Sequence, residues 1–374
     1  MKKIFYVFAA LAVLCGGSDA DLAQTKTATT ATVAPVHTSG DLVSLLPNAD
    51  IVATVNIKRA LNDALPQVLA TQPGTLTQIN GQIDEIKTKT GIDIRSFEQL
   101  AMAMKLTRTA SGDFQGEPIA LLRGGFNADA LLAVGKLAAG KNLRQEKIGD
   151  KTVLIFTIPQ DAKKGNPTAK KDPMDRFMES LMSGEVAVVS LDGNTLAAGK
   201  LNIVRSMLTD TKNRLGADLV GIVNRNPNAV MNFAGIVPAN SATIFGAESN
   251  VQVATILNSL RHIFGSVDVA GGSASMMLAA RTSEDPQAEE LQNTLLGLKQ
   301  LGAMLLGNGK DEKMIIVQRL LNNTKITRTS NEVQIMATAP QADIDALLKP
   351  QPKPTPNPTP KASDGIETSA EPSN

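Results

Sequence analysis

Residues 116–140 read GEPIALLRGGFNADALLAVGKLAAG, a pattern that predicts a buried strand, a polar turn and an amphipathic helix. Asn127 is placed to cap the start of this helix, and Gly140 is placed to end it in a left-handed conformation. A second stretch with the same order of elements runs from residue 273 to residue 301, SASMMLAARTSEDPQAEELQNTLLGLKQL. These two stretches set the predicted fold class.

Each stretch is followed by a predicted hairpin that closes on a similar tetrapeptide, TIPQ at 157–160 and TAPQ at 338–341. We interpret the two stretches as an internal duplication of a hairpin–helix–hairpin unit, in which the hairpin at 143–158 corresponds to the one at 324–338. Tight turns such as Asp192-Gly193 join consecutive strands and favour antiparallel pairing. The predicted class is α+β, two similar halves with mainly antiparallel sheets and packed helices.

The chain divides into five predicted segments. They are a signal peptide (1–20), a Thr/Ala-rich linker (21–40), a first α+β half (41–225), a second α+β half (226–348) and a Pro-rich tail (349–374). The tail carries proline at every second position in KPQPKPTPNPTPK, which is typical of a polyproline II spacer. The folded region is long enough for two hydrophobic cores of ordinary size.

The N-terminus predicts export from the cytoplasm. Lysines at positions 2–3 precede an apolar run over 4–14, as in a secretory leader, and cleavage after Ala20 is expected. Lipidation of Cys15 is the alternative, although Leu14 occupies a position that lipoproteins usually give to Gly, Ala or Ser. We therefore expect a periplasmic or extracellular protein, with a lipid anchor as the alternative form.

Composition disfavours several classes of function. The chain has 37 Lys+Arg and 36 Asp+Glu, and removal of the leader equalises the two, so no nucleic-acid partner is expected. Cleavage after Ala20 also removes the only cysteine. Two histidines, no tryptophan and one tyrosine, in the leader, disfavour zinc sites, His-based triads and sugar-stacking clefts. No cofactor is predicted.

Two stretches resemble a phosphate-binding loop only in spacing. Residues 135–141 have the Walker spacing, but Asn142 stands where a Mg²⁺-binding hydroxyl is needed, and the stretch ends a predicted helix. Residues 193–201 are one residue too long and also lack the hydroxyl. We interpret both as coincidental, because their backbone N–H groups would not converge on a phosphate.

The remaining titratable candidates have structural interpretations. His262 is predicted near the C-terminal end of a helix over about 250–263, where it would favour the helix dipole. The acid pair Asp343 and Asp345 is interpreted as a solvated helix terminus. Neither feature predicts a catalytic site, so an enzyme is not favoured.

The sharpest functional candidate lies between the predicted hairpins of the first half. A basic loop carries Lys163, Lys164, Lys170 and Lys171. It precedes a predicted helix at 172–183, whose shared apolar face comprises Met174, Phe177, Met178, Leu181 and Met182. This face can pack on the protein's own sheet, and the functional hypothesis is that it docks on a partner or an anionic surface.

Two short motifs, PNAD at Pro47–Asp50 and TGID at Thr90–Asp93, resemble those of uncharacterised exported bacterial α+β proteins. The resemblance covers most of the folded region, implies no known activity and transfers no site residues. The predicted function is a non-catalytic cell-envelope binding or scaffolding protein, whose partner is an unknown envelope protein or a membrane surface. A carrier of an apolar ligand and a carboxylate- or metal-dependent hydrolase are the alternatives, and the oligomeric state is not predicted.

Overall fold

The computed structural model describes residues 39–108, 114–139, 143–157, 185–244, 247, 249–306 and 312–348. Twelve strands belong to the sheet: β1 (Ile51–Asn56), β2 (Phe97–Arg108), β3 (Phe114–Gly124), β4 (Leu143–Ile148), β5 (Lys151–Thr157), β6 (Glu185–Asp192), β7 (Thr195–Gly199), β8 (Met231–Ile236), β9 (Leu260–Ala270), β10 (Ser273–Thr282), β11 (Lys325–Thr329) and β12 (Glu332–Pro340).

Helices connect these strands and cover parts of the sheet. They are α1 (Ser39–Ser44), α2 (Ile57–Arg59), α3 (Leu65–Val68), α4 (Pro73–Thr90), α5 (Ala128–Ala139), α6 (Leu201–Thr209), α7 (Ala217–Val223), α8 (Ser241–Ile244), α9 (Val251–Ser259), α10 (Asp285–Leu306), α11 (Glu312–Asn323) and α12 (Gln341–Leu348). A π-helical turn, Ala60–Ala64, joins α2 to α3, and a 3₁₀ turn, Ile94–Ser96, precedes β2.

All twelve strands form one antiparallel sheet in the order β11-β12-β10-β9-β8-β1-β2-β3-β7-β6-β5-β4. The first and second predicted halves meet at its centre, where β1 pairs with β8 and Ala53 lies opposite Phe233. The predicted α+β class with antiparallel pairing is confirmed. Both predicted halves therefore contribute to a single continuous sheet.

The strand order differs from the one that the proposed duplication requires. The hairpin that follows β10 along the sheet is β12–β11, as expected, but the hairpin beside β3 is β7–β6. The β4–β5 hairpin, which the sequence equated with the last hairpin, lies beyond it at the sheet edge. That equivalence does not hold in the sheet, and the duplication is not confirmed. Local pattern identifies a hairpin but carries no information about which strand it will join.

The two faces of the sheet are buried by different helices. On the front face, α1, α6 and α7 cover a core that includes Val52, Leu121 and also Phe264 from β9. On the back face, α4 contributes Ile83 to one cluster, and α10 contributes Leu291 to another. A third back-face cluster packs under α5. Alternate residues of each strand thus enter opposite cores, as the two-residue period requires.

His262 does not lie at a helix end. Helix α9 stops at Ser259, and β9 begins at Leu260 and pairs His262 with Ile236 of β8. The helical prediction for 260–263 was wrong because pairing with β8 and β10 on both sides overrides a short helical pattern. His262 is therefore a residue of a central strand.

Several predicted features lie outside the described residues. These are the leader with Cys15, most of the linker, the lysines of the basic loop, the apolar face at 172–183 and the Pro-rich tail. The hypothesis that this basic loop and helix dock on a partner remains a prediction.

Candidate functional site

Among the described residues, no helix covers the front face of the sheet over β11, β12 and the first half of β10. Exposed or half-buried side chains occupy this area, including Ser275, Met277, Met336 and Thr338. In the described part of the chain, the helices that pack on these strands lie on the back face, where Val333 and Leu291 form their core. We call this area, together with the loop at 225–229, the open-face groove.

The two-residue period of three neighbouring strands determines which side chains reach the groove. The registers place Met277 opposite both Ser266 and Met336, and Arg281 opposite Glu332. The front-facing residues are Phe264, Ser266 and Asp268 of β9, Met277, Ala279 and Arg281 of β10, and Glu332, Gln334 and Met336 of β12.

The loop at 225–229 forms one wall of the groove. Asn226 Nδ2 donates to Ser266 Oγ at 2.8 Å, and Asn232 Nδ2 donates to the Asn226 carbonyl oxygen at 3.0 Å. These bonds hold the loop against the front of β9. The groove has two adjoining sections of ≈ 590 Å³ and ≈ 460 Å³, which share Arg225 and Gln334 in their linings.

A charged cluster stands at one end of the groove. Arg225 Nη1 donates to Glu332 Oε1 at 2.6 Å, and Arg281 Nη2 donates to Glu332 Oε2 at 3.2 Å. Gln334 Nε2 also donates to Glu332 Oε1, at 2.9 Å. The guanidinium carbons of Arg225 and Arg281 lie 4.6 Å and 6.0 Å from the centroid of the Phe264 ring. The two arginines thus flank the Glu332 carboxylate above the face of the Phe264 ring, and the electron-rich face of an aromatic ring attracts cations.

The environment keeps Glu332 ionised. Burial alone would raise the pKa of Glu332, but the hydrogen bonds donated by Arg225, Gln334 and Arg281 together lower it below its ordinary value. The cluster of two arginines and one glutamate therefore carries a net charge of +1.

The two arginines retain unused hydrogen-bond donors. A guanidinium has five N–H donors, and within the described residues each arginine uses one nitrogen, on Glu332. The side chains are 36% and 26% exposed for Arg225 and Arg281, so the remaining donors are open to a ligand. The cluster can accept an additional anion without losing its internal bonds.

The other end of the groove is electrically balanced by a second ion pair. Arg59 Nη2 lies 2.9 Å from Asp268 Oδ1 and 3.1 Å from Oδ2. The same nitrogen also donates to the Val269 carbonyl oxygen at 3.4 Å. Arg59 and Asp268 cancel each other's charge. The net positive charge of the two ion-pair clusters therefore lies at Arg225 and Arg281.

His262 lies beside this cluster, opposite Arg281 in the sheet. Burial lowers the pKa of His262 and the Arg281 charge lowers it further, against a smaller opposing effect of Asp218. Its Nδ1 atom is buried without a hydrogen-bond partner in the described residues. His262 is therefore held neutral near neutral pH.

The acid pair Asp343 and Asp345, which the sequence predicted to be a solvated helix terminus, is solvated only in part. Asp343 is only 2% exposed and accepts a hydrogen bond from Arg319 Nη1 at 2.5 Å. Asp345 accepts from Gln341 Nε2 at 2.8 Å. In the described residues no three His, Cys, Asp or Glu side chains lie close enough together to hold a metal ion.

The two Walker-like stretches have ordinary structural places. Residues 135–139 belong to α5, and 193–201 cover the β6–β7 turn, β7 and the first residue of α6. In the residues of these stretches that the structure describes, neither forms a loop that precedes a helix with the glycine spacing of a phosphate site.

A second exposed surface is apolar. The C-terminal half of α10 exposes Leu298, Leu301, Met304 and Leu305, and α11 exposes Met314, Ile315 and Val317. No described element covers this surface. Among the helices in the described residues, none combines the length and the apolar character needed to span a bilayer.

Comparison with known proteins gives only distant structural similarity. No protein-family model matches the chain, and no curated protein matches it. The structure of crystal form IV of TP0453 aligns with a TM-score of 0.40 at 8% identity, over 82% of this chain and 96% of that chain. Crystal form III of TP0453 aligns with a TM-score of 0.39 at 9% identity, over 83% and 97%. The resemblance is weak.

Sequence reasoning did not find Arg225, Arg281 or Glu332. The alternation in SASMMLAART places Arg281 on the same face as Met277, which was a usable signal. Glu332 is 51 residues beyond Arg281, and Arg225 is 107 residues before Glu332, so only the strand order brings the three together.

Proposed function

We propose that this chain is a non-catalytic binding protein of the cell envelope and that the open-face groove is its binding surface. The observation that carries the proposal is the cluster of Arg225, Arg281 and Glu332 at the end of a sheet face that no other described element covers. The inner strands of a sheet usually have their apolar and charged side chains covered by a helix or a loop. An uncovered sheet face with unused cationic donors favours recognition of a ligand.

The side chains of the groove are better suited to ligand binding than to catalysis. Its polar groups are arginines, amides and hydroxyls, which orient a ligand, and the Glu332 carboxylate is already held by two arginines. A general base needs an available proton acceptor, and Glu332 offers little such capacity. Within the described residues, the hydrolase alternative has no comparable supporting contact.

Export remains part of the proposal and rests on the leader sequence at 1–20. The processed N-terminus tests the route. A chain that begins at Asp21 supports a secreted form, a lipid-modified Cys15 supports an anchored form, and an intact Met1 contradicts export.

Site-specific photo-crosslinking tests the binding surface. A photoreactive benzoylphenylalanine replaces Met336, which is 47% exposed in the groove, and in a matched control it replaces Leu137, which is 77% exposed on α5. We expect the full-length chain, expressed in its own cells, to give a discrete adduct from position 336 and none of that mass from position 137. Equal labelling from both positions, or none from position 336, contradicts the proposal.

A further inference from the structure

We propose that the ligand of the open-face groove is an amphipathic monocarboxylate, an apolar chain with one carboxylate head group. This inference rests on the proposed function and deepens it by naming the ligand's chemistry. The carboxylate would bridge Arg225 and Arg281, and the apolar chain would lie along β10 and β12 over Met277 and Met336.

The carboxylate head group of the ligand is inferred from the net charge of the cluster. Arg225 and Arg281 already share one carboxylate, that of Glu332, and their net charge is +1. One further carboxylate neutralises the cluster, whereas a doubly charged phosphate monoester would leave it negative. The planar guanidinium fork matches carboxylates and phosphates alike, so the charge of the cluster makes the distinction. Lys325, opposite Met336 on β11, is exposed, and solvent screens its charge.

The apolar chain of the ligand is inferred from the residues that lie beyond the charged cluster. Along β12, the front-facing residues change from Glu332 through Gln334 to Met336, and Met277 lies directly opposite Met336. Methionine side chains are flexible and polarisable, which suits a linear apolar ligand without a fixed shape. Glu332 and Met336 are four residues apart on one strand, so the path from head group to methionines is about 13 Å long.

The geometry does not suit an added peptide strand. Strand addition takes place at a free sheet edge, through backbone hydrogen bonds. Here β12 is already paired on both sides, with β10 and β11, so the part of the groove between Met277 and Met336 offers side chains and no unpaired strand backbone. A ligand must therefore bind through its own head group and apolar contacts.

Calorimetric titration of the mature full chain with three probes tests the head group. The probes are octanoate, octyl phosphate and octanol, each below its micellar concentration, at pH 8. We expect octanoate to bind with one site per chain. Octanol should bind at least about tenfold more weakly, because it lacks the hydrogen-bonded charge, which contributes that much. Octyl phosphate should also bind more weakly than octanoate, because its second charge would leave the cluster negative.

Three substitutions make the test specific to the cluster. Arg281→Gln removes one cation and should weaken octanoate binding by about tenfold or more. Glu332→Gln keeps the size of the side chain but raises the cluster charge to +2, so it should tighten binding several-fold. Arg328→Gln, which removes a cation paired with Glu289 at 3.5 Å on the back of β11, is the matched control and should leave binding unchanged.

The signs of these effects separate a binding role from a folding role. A variant that only damages the fold would lose binding, whereas Glu332→Gln is expected to gain it, with folding checked by circular dichroism. Octanoate binding no tighter than octanol binding, or no gain in Glu332→Gln, overturns the inference. If crosslinking at position 336 persists in that case, the ligand class is wrong and the proposed function stands. If crosslinking is also absent, both proposals are wrong.

Discussion

At the scale of single residues, one glycine of β9 permits the close packing of an aromatic ring on the sheet. Gly265 in β9 lies under the ring of Phe233 and beside the backbone of Met277. A Cβ atom at this position would lie 2.8 Å from two ring carbons of Phe233 and would overlap the Met277 carbonyl oxygen. Glycine therefore permits the ring to cover β9 while β9 stays paired with β10 on its other side.

Gly265→Ala should destabilise the protein by about 1–3 kcal/mol, because ring and backbone must both shift to admit the methyl group. Urea unfolding followed by circular dichroism measures the change. Gly297→Ala in α10 is the control, since a methyl group there would meet no neighbouring element within 4 Å and alanine favours a helix. This control should gain about 0.5–1 kcal/mol. A neutral effect of Gly265→Ala would show that Phe233 moves freely.

At the scale of elements, one buried ion pair attaches the last helix to the rest of the molecule. Asp343 lies in the first turn of α12, and Arg319 reaches it from α11. Asp343 is buried, whereas the Arg319 side chain is 51% exposed. The arginine thus supplies the counter-charge of this carboxylate and a hydrogen bond to its Oδ1 atom, while its Oδ2 atom is buried without a partner in the described residues.

Arg319→Ala should cost about 1–3 kcal/mol of unfolding free energy, because it leaves the buried Asp343 carboxylate without its donor. The double variant Arg319→Ala/Asp343→Asn should recover part of this loss, since a neutral amide costs less to bury. Both changes are measured by urea unfolding. Arg328→Ala, which removes a more exposed pair with Glu289, should change stability by less than about 0.5 kcal/mol. Equal losses in both single variants would contradict the special role of Asp343.

At the scale of the whole molecule, the lowered pKa values of His262 and Glu332 link stability to pH in the same direction, as do those of Glu85, Asp93 and Glu146. Burial and the Arg281 charge lower the pKa of His262 below its ordinary 6.5, so the folded state binds its proton less readily than the unfolded state does. The pKa of Glu332 is also lowered below its ordinary 4.5, so its stabilising ion pairs are present above that pH and are lost on acidification.

The melting temperature should therefore begin to fall as pH drops below about 6.5, and should fall further below about pH 4.5. Thermal unfolding between pH 8 and pH 4 measures both phases. His262→Gln should remove the upper phase and leave the lower one, whereas Glu332→Gln should reduce the lower phase. If His262→Gln retains the full decline between pH 6.5 and 5, another group is responsible for it.

Much of the architecture could be predicted from local sequence. The alternation of apolar residues indicated strands within 116–140, 143–158 and 324–338, and α4 ends at a left-handed glycine, Gly91 with φ 72°. Pro66 is a residue type that disturbs a helix, and a π-helical turn lies directly before α3, which contains it. These features depend on neighbours within a few residues, which the sequence displays directly.

The tertiary structure alone decided the strand order and the site. The sequence predicted two similar halves and made 143–158 the equivalent of the last hairpin. In the sheet, β1 of the first half pairs with β8 of the second, and the β6–β7 hairpin takes the place beside β3. Such pairings connect residues far apart in the chain, and their free energy depends on burial of a whole face. For the same reason Arg225, Arg281 and Glu332 form one cluster only after β10 and β12 become neighbours.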